Sequence, residues 1–413
     1  MGIVVLAVAV RLAAAWVVQG YVDRKGTICV FGDTTIYWLL SERILTGESY
    51  EVDQLGMPHR ALRTPGYPAF LAICRSIVGD RPLGVRIIQA ILNGTSVALV
   101  AALALVLFQA RSPADRRRAA LFAALLAAID PYAAGISVLI LSEAAFFPLM
   151  LLGLIGAAGL SRSIGSESSR GLILPGIATG IAMAAAVLVR PSWAIFPPFW
   201  CVVLLATAGA ERARALRVIA IVGLTASLVM FPWWIRNARV IGRFVPTALW
   251  VGASLYDGIR PTADGSSDMR FLEDPEIARL DEVDQDRELR RRAIDYATRH
   301  PGRVLELAAL KAARFFSPWP NAETLKSGLV DALSSIWTLP TYFLVMLGAI
   351  PIRRDPRALV VLLGPLVCFL GLHIVFVSSI RYRVPGMLPA YALAGYGLVR
   401  VVSRLGGERL HEC

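Results

Sequence analysis

Two carboxylates and five arginines in this 413-residue chain are of types that could do chemistry together. Asp33 opens the stretch DTTIYWLL, Arg63 opens RTPGYPAF, Glu143 follows Ser142, Arg190 precedes Pro191, Arg236 follows PWWI, and Arg381 and Arg383 flank Tyr382. A carboxylate can take the proton of a hydroxyl, and a guanidinium grips phosphate through a planar, permanently charged fork. Such a set suits a phosphorylated, lipid-borne substrate. Each residue also has a plainer use. Asp33 could cap the helix that follows it, and Glu143 at a helix start would favour the macrodipole. Arg190 before Pro191 reads equally as a helix end with a snorkelling arginine. Arg11 and His373, inside apolar runs, read as polar groups satisfied between helices.

The elements that must position these residues belong to a membrane. The chain is 56% apolar and 17% charged, with a mean hydropathy of +0.61, more apolar surface than a soluble chain of this length can hide. Runs close to the length that crosses a hydrocarbon core of about 30 Å lie at Ile3 to Val18, Leu83 to Phe108, Ala119 to Gly135, Val138 to Leu160 and Leu172 to Val189. Five more lie at Trp193 to Gly209, Leu216 to Ile235, Leu329 to Ile350, Ala358 to Ser378 and Val384 to Val402. The expected fold is an all-α integral membrane protein, one membrane domain over 1–413, with about ten transmembrane helices and a range of roughly nine to twelve. Asp130 and Pro131 interrupt the third run, which could pair with the fourth as a re-entrant hairpin. Arg11 within the first run, and the lack of a basic leader, favour a span over a signal peptide.

The composition also excludes other classes. The net charge of +12 comes mostly from arginines in short connections, so no nucleic-acid partner is expected. Cys29, Cys74, Cys201, Cys368 and Cys413 show no CxxC spacing, which indicates neither a zinc site nor a disulfide framework. No Walker loop, HExxH or dinucleotide fingerprint occurs, and the sequon Asn93-Gly94-Thr95 falls inside a span.

Orientation follows from the short connections. Arg111, Arg116, Arg117, Arg118, Arg162, Arg170, Arg212, Arg214, Arg217, Arg353, Arg354 and Arg357 stand there against only Asp115, Glu167, Glu211 and Asp355. These turns share a side if the chain alternates, and the positive-inside rule makes that side cytoplasmic, together with both termini. Two long loops, 19–82 and 236–328, are then extracytoplasmic, and the two carboxylates and five arginines converge on that face. In the first loop, Ile36, Leu39, Leu40 and Ile44 mark an amphipathic helix ending at Gly47, and a second runs from after Pro65 to Gly79, both lying at the interface. In the second loop the mixed-charge run Asp268 to Arg299 reads as one solvated helix, followed after Pro301 by Val304, Leu307, Lys311 and Phe315 at helical spacing.

The order of GDTTIYWLLSERILTGESY, RTPGYPAFLAI, ISVLILSEAAFF, LVRPSW, PWWIRNARVIGRFVP and RYRVPGMLPAYALAGYGL resembles the GT-C superfamily of membrane glycosyltransferases. Within it, the resemblance is to the bacterial branch related to protein O-mannosyltransferases and lipid A aminoarabinose transferases. Each motif alone is weakly specific; their order over nearly the whole chain is more so. The resemblance implies inverting transfer of a sugar from a polyprenyl-phosphate donor to a lipid, glycan or protein acceptor at the extracytoplasmic face of the cell membrane. It implies catalytic roles for Asp33 and Glu143 and donor-phosphate binding by Arg381 and Arg383; from their guanidinium chemistry on the same face, Arg63, Arg190 and Arg236 are expected as further phosphate ligands. Many relatives carry two adjacent acids in the first loop, whereas Thr34 follows Asp33 here, so no metal is assigned. The rival classes are a lipid or sugar transporter or flippase, against which stand the absence of inverted repeats and of many mid-membrane ionisable residues, and a non-catalytic scaffold.

Overall fold

Apolar runs punctuated by proline, glycine and aspartate become helices with sharply defined ends. A computed structural model describes residues 1–54, 56–109, 111–164, 171–321 and 327–405. Glu167, Arg170 and Cys413 lie outside the described residues. The chain opens with α1 (Gly2–Lys25) and α2 (Asp33–Thr46), then a small antiparallel hairpin of β1 (Val52–Gln54) and β2 (Met57–His59), paired Val52 to His59 and Gln54 to Met57. Next come α3 (Gly66–Val78), α4 (Pro82–Leu107), α5 (Pro113–Ile129), α6 (Pro131–Val138), α7 (Glu143–Ser163), α8 (Ile173–Val189), α9 (Phe196–Ala206) and α10 (Arg212–Ile241). The remainder is α11 (Val251–Ile259), α12 (Pro275–Ala278), α13 (Glu282–Arg299), α14 (Pro301–Phe316), α15 (Gly328–Ala349), α16 (Pro356–Leu362), α17 (Gly364–Val375) and α18 (Ile380–Leu405). Proline opens α4, α5, α6, α12, α14 and α16, where its missing N–H costs nothing and its fixed φ suits a helix. Gly47 ends α2 at φ 72°, a left-handed turn that a side chain would resist.

Among the described residues, five helical stretches are long and apolar enough to cross a membrane: α1, α4, α7, Gly209–Ile241 containing α10, and Gly328–Ile352 containing α15. Two bent pairs, α5 with α6 and α16 with α17, each turning by 56°, raise this to seven if each pair is one span. The chain therefore has the make-up of a multi-pass, almost wholly helical membrane protein. The three remaining expected segments are helical too, but α8 has 17 residues and α9 has 11, while α18 is buried over the whole of 383–397. A helix apolar on every face belongs inside a bundle. At Gly348 and Gly397 an added Cβ would collide with the backbone of Leu393 and Leu344, so α15 and α18 touch main chain to main chain, as small residues allow. The other face of α15 is a stripe of exposed Leu333, Ile336, Leu339, Phe343 and Met346, suited to lipid.

The arginine-bearing turns meet at one end of the bundle. Arg162 donates to the Leu107 carbonyl at 3.1 Å, Arg111 to Pro351 at 3.3 Å, and Arg357 to Ser161 at 3.2 Å and Thr207 at 2.6 Å. Beyond the other end lie the hairpin and α11 to α14. Two expectations are corrected here. The run Asp268 to Arg299 is not one helix: a 3-10 turn (Met269–Glu273), α12 and α13 follow each other, because the side chains of Asp268, Asp274 and Asp281 each cap a new start. The first loop also holds the β1–β2 hairpin, which its helical signals do not announce.

Candidate active site

Asp33 is the first residue of α2, yet it does not cap it. Gly32 holds the N-cap position and makes no side-chain cap bond. The Asp33 carboxylate instead accepts from Arg63 at 2.8 Å and lies 3.6 Å from Arg381. Burial alone would raise this carboxyl; the guanidiniums of Arg63 and Arg381 outweigh it and hold it below the ordinary carboxylate range. Arg63 leaves the hairpin, and its guanidinium lies 5.0 Å from the Trp250 ring.

Glu143 begins α7 after the short extended stretch that follows α6. Its carboxylate accepts from Arg381 through Nε at 2.5 Å and through a terminal nitrogen at 3.2 Å, and Arg190 lies 3.0 Å away. Arg190 sits at the end of α8 in extended backbone, the conformation that Pro191 imposes on its predecessor. It also donates to Ser142 Oγ at 3.2 Å. Arg381 thus touches both acids, while Arg63 serves Asp33 and Arg190 serves Glu143. The acids differ in access: the Asp33 side chain is 34% exposed and that of Glu143 is 0% exposed. Two carboxylates against three guanidiniums leave one net positive charge, which matches a singly charged phosphodiester.

Residues 62–235, less than half of the chain, match the family model described as dolichyl-phosphate-mannose-protein mannosyltransferase. No curated protein sequence is significantly similar to the chain. The apo oligosaccharyltransferase of Archaeoglobus fulgidus superimposes with a TM-score of 0.60 over 100% of this chain and 52% of that one, at 14% identity. The fold is of the GT-C type. An Archaeoglobus fulgidus oligosaccharyltransferase in complex with an inhibitory peptide and a dolichol-phosphate gives a TM-score of 0.52 over 92% of this chain and 48% of that one, at 13% identity. The chain thus spans about half the length of the solved GT-C relative it matches.

Within this GT-C fold, five of the expected site residues come together: Asp33, Arg63, Glu143, Arg190 and Arg381. Two lie elsewhere. Arg383 points away from the cluster and donates to the carbonyls of Phe315 at 3.1 Å and Ser317 at 2.7 Å. Arg236, inside the last turns of α10, donates to the carbonyls of Arg60 at 2.5 Å and Tyr50 at 2.8 Å. Both guanidiniums are occupied by main chain. Aromatic residues not anticipated from sequence complete the site. The Tyr382 ring lies 5.8 Å from the Arg190 guanidinium and 5.7 Å from that of Arg381, and His373 stacks on it at 3.8 Å. The exposed Phe31 ring lies 5.3 Å from the Arg381 guanidinium. The spelling RYR hints at Tyr382; nothing in the sequence singles out Phe31. The donor set does not suit a metal ion, since a cation between the acids would meet three guanidiniums. Among the described residues no three His, Cys, Asp or Glu side chains group to hold one.

Proposed function

We propose that this protein moves a sugar from a polyprenyl-phosphate donor to an acceptor hydroxyl at the extracytoplasmic membrane face. The observation that carries the reading is the single net positive charge of the Asp33, Arg63, Glu143, Arg190 and Arg381 cluster, with one acid open to solvent and the other sealed. The GT-C fold supports it, as does the dolichol-phosphate in a solved relative of that fold. In this reading the chain crosses the membrane about ten times, with α8, α9 and α18 adding to the seven apolar spans. Both termini are cytoplasmic, with the arginine-bearing turns that meet at one end of the bundle.

The chemistry is an inverting displacement. Asp33 takes the acceptor's hydroxyl proton as that oxygen attacks the anomeric carbon; the bond from that carbon to the phosphate oxygen breaks, and polyprenyl phosphate leaves with its second negative charge. Arg381 and Arg190 stabilise that developing charge. Arg381 is shared: Glu143 holds its fork, and a phosphate that takes the remaining terminal nitrogen loosens the 3.6 Å contact with Asp33 and makes that carboxylate more basic. Donor binding thereby primes the base. Glu143 holds Arg190 and Arg381 in place for the phosphate.

The test is transfer from polyprenyl-phosphate-linked sugars in reconstituted vesicles, with the sugar chosen from mass spectrometry of envelope lipids and glycans in a deletion strain. Transfer that is lost in Arg381→Lys at normal expression supports the reading. Donor movement across the bilayer without any transfer would replace it with a flippase.

A further inference from the structure

We propose that Glu282 is a positioning residue: from the large second loop it fixes the main chain at Arg60 and Ala61 and so sets Arg63 against Asp33. This rests on the catalytic role proposed for Asp33. Glu282 is the first residue of α13, 6% exposed, and its carboxylate accepts the backbone N–H groups of both Arg60 at 2.9 Å and Ala61 at 3.0 Å. Among the described residues it forms no direct ion pair, and the Arg236 guanidinium on the other side of the loop feels its charge without touching it. A buried carboxylate without a contacting cation is costly unless strong hydrogen bonds hold it, and two adjacent amides supply them. The next turn of α13 adds Gln285, whose Oε1 lies 3.1 Å from His59 Nε2.

The segment from Arg60 to Thr64 is neither helix nor strand, so its polar groups need partners from elsewhere. Arg236 takes the Arg60 carbonyl, the Leu249 amide takes that of Ala61 at 2.8 Å, and the Tyr50 hydroxyl reaches those of Arg63 and Thr64, each at 3.2 Å. Glu282 holds the amides and Arg236 the opposite carbonyl, so the loop is clamped from both sides. The Arg63 side chain then leaves in one direction, along Trp250 to Asp33. Arg236 belongs to this clamp rather than to the phosphate. Small displacements at a reacting group cost large factors in rate, so a clamp on the loop that carries Arg63 acts on turnover.

The full-length protein in nanodiscs tests this in two ways. By hydrogen exchange, Glu282→Ala should expose the amides of the peptide spanning 59–64, while Glu282→Gln, which keeps an acceptor oxygen, should retain most of the protection. Unchanged protection in Glu282→Ala overturns the proposal, whether or not the protein is a transferase. By kinetics, Glu282→Ala should lower kcat roughly tenfold and leave the donor KM within about twofold. In an Arg63→Ala background, Glu282→Ala should cost little more, because its route to Asp33 is already cut. Losses that multiply in the double variant would make Glu282 a general structural residue and overturn its action through Arg63. Absence of transfer in the wild type would count against the catalytic reading alone, and the exchange result would still decide the clamp.

Discussion

A side chain that caps a helix and one that accepts a substrate proton respond differently when charge is removed and shape is kept. Asp33 makes no cap but pairs with Arg63 and Arg381, so Asp33→Asn should lower thermal stability through the lost ion pairs and reduce transfer about a hundredfold or more, with Asp33→Glu between the two in transfer. An Asn variant as active as wild type would move the base elsewhere. The pH dependence has a definite sign. A carboxyl held below 3.8 stays ionised down to lower pH, and its function is lost only as pH falls through that depressed value. Arg63→Ala removes one cause of the depression, so the acid limb of kcat/KM should move to higher pH. A limb that does not move would separate Arg63 from the base. Arg383 should behave unlike Arg381. With its guanidinium on two carbonyls, Arg383→Ala should lower stability by about 1–3 kcal/mol, and rescued protein should keep its donor KM. The motif RYR made these two arginines look equivalent. Alternate residues at a helix start point in different directions, and only packing reveals which one meets the acids.

The ends of α2 and α3 were legible because Gly47 and Gly79 stop helices by backbone geometry. The breaks inside Asp268 to Arg299 were written in the same local language, as an aspartate before each new start, but the charge run masked them. The hairpin of β1 and β2 was hidden because three-residue strands carry too little alternation to stand out. Lys311 also gains its meaning only from packing. The residue is 1% exposed, and its ammonium donates to the Val375 carbonyl at 2.7 Å, joining α14 to the end of α17. Burial pulls its pKa down to about 8, with Asp257 opposing. A lysine depressed in the folded state binds its proton more tightly when unfolded, so stability should increase as pH rises from about 8 towards 10.5. The increase should be smaller in Lys311→Met, and an equal increase in both proteins would assign it to other groups.

At the scale of the whole molecule, the convergence of five distant segments was legible only through alternation: once basic turns are put on one side, Asp33, Arg63, Glu143, Arg190 and Arg381 must share the other. Pairing them was not legible, because two acids and three guanidiniums allow several arrangements. Reporters fused after Arg117, Arg214 or Arg354 should read cytoplasmic, and those near Pro58 or Asp274 external. Opposite readings at both external positions would invert the protein and remove the proposed active face.

The way three guanidiniums are divided between two carboxylates separates survival from work. Asp33 and Glu143 each keep an arginine of their own, so losing the shared one strands neither acid. Arg63 and Arg190 are therefore the harder losses for assembly, and Arg381 is the position where a lineage could fall silent while its protein still reached the membrane intact. An inactive but well-assembled Arg381 variant is the form in which to capture donor and acceptor side by side.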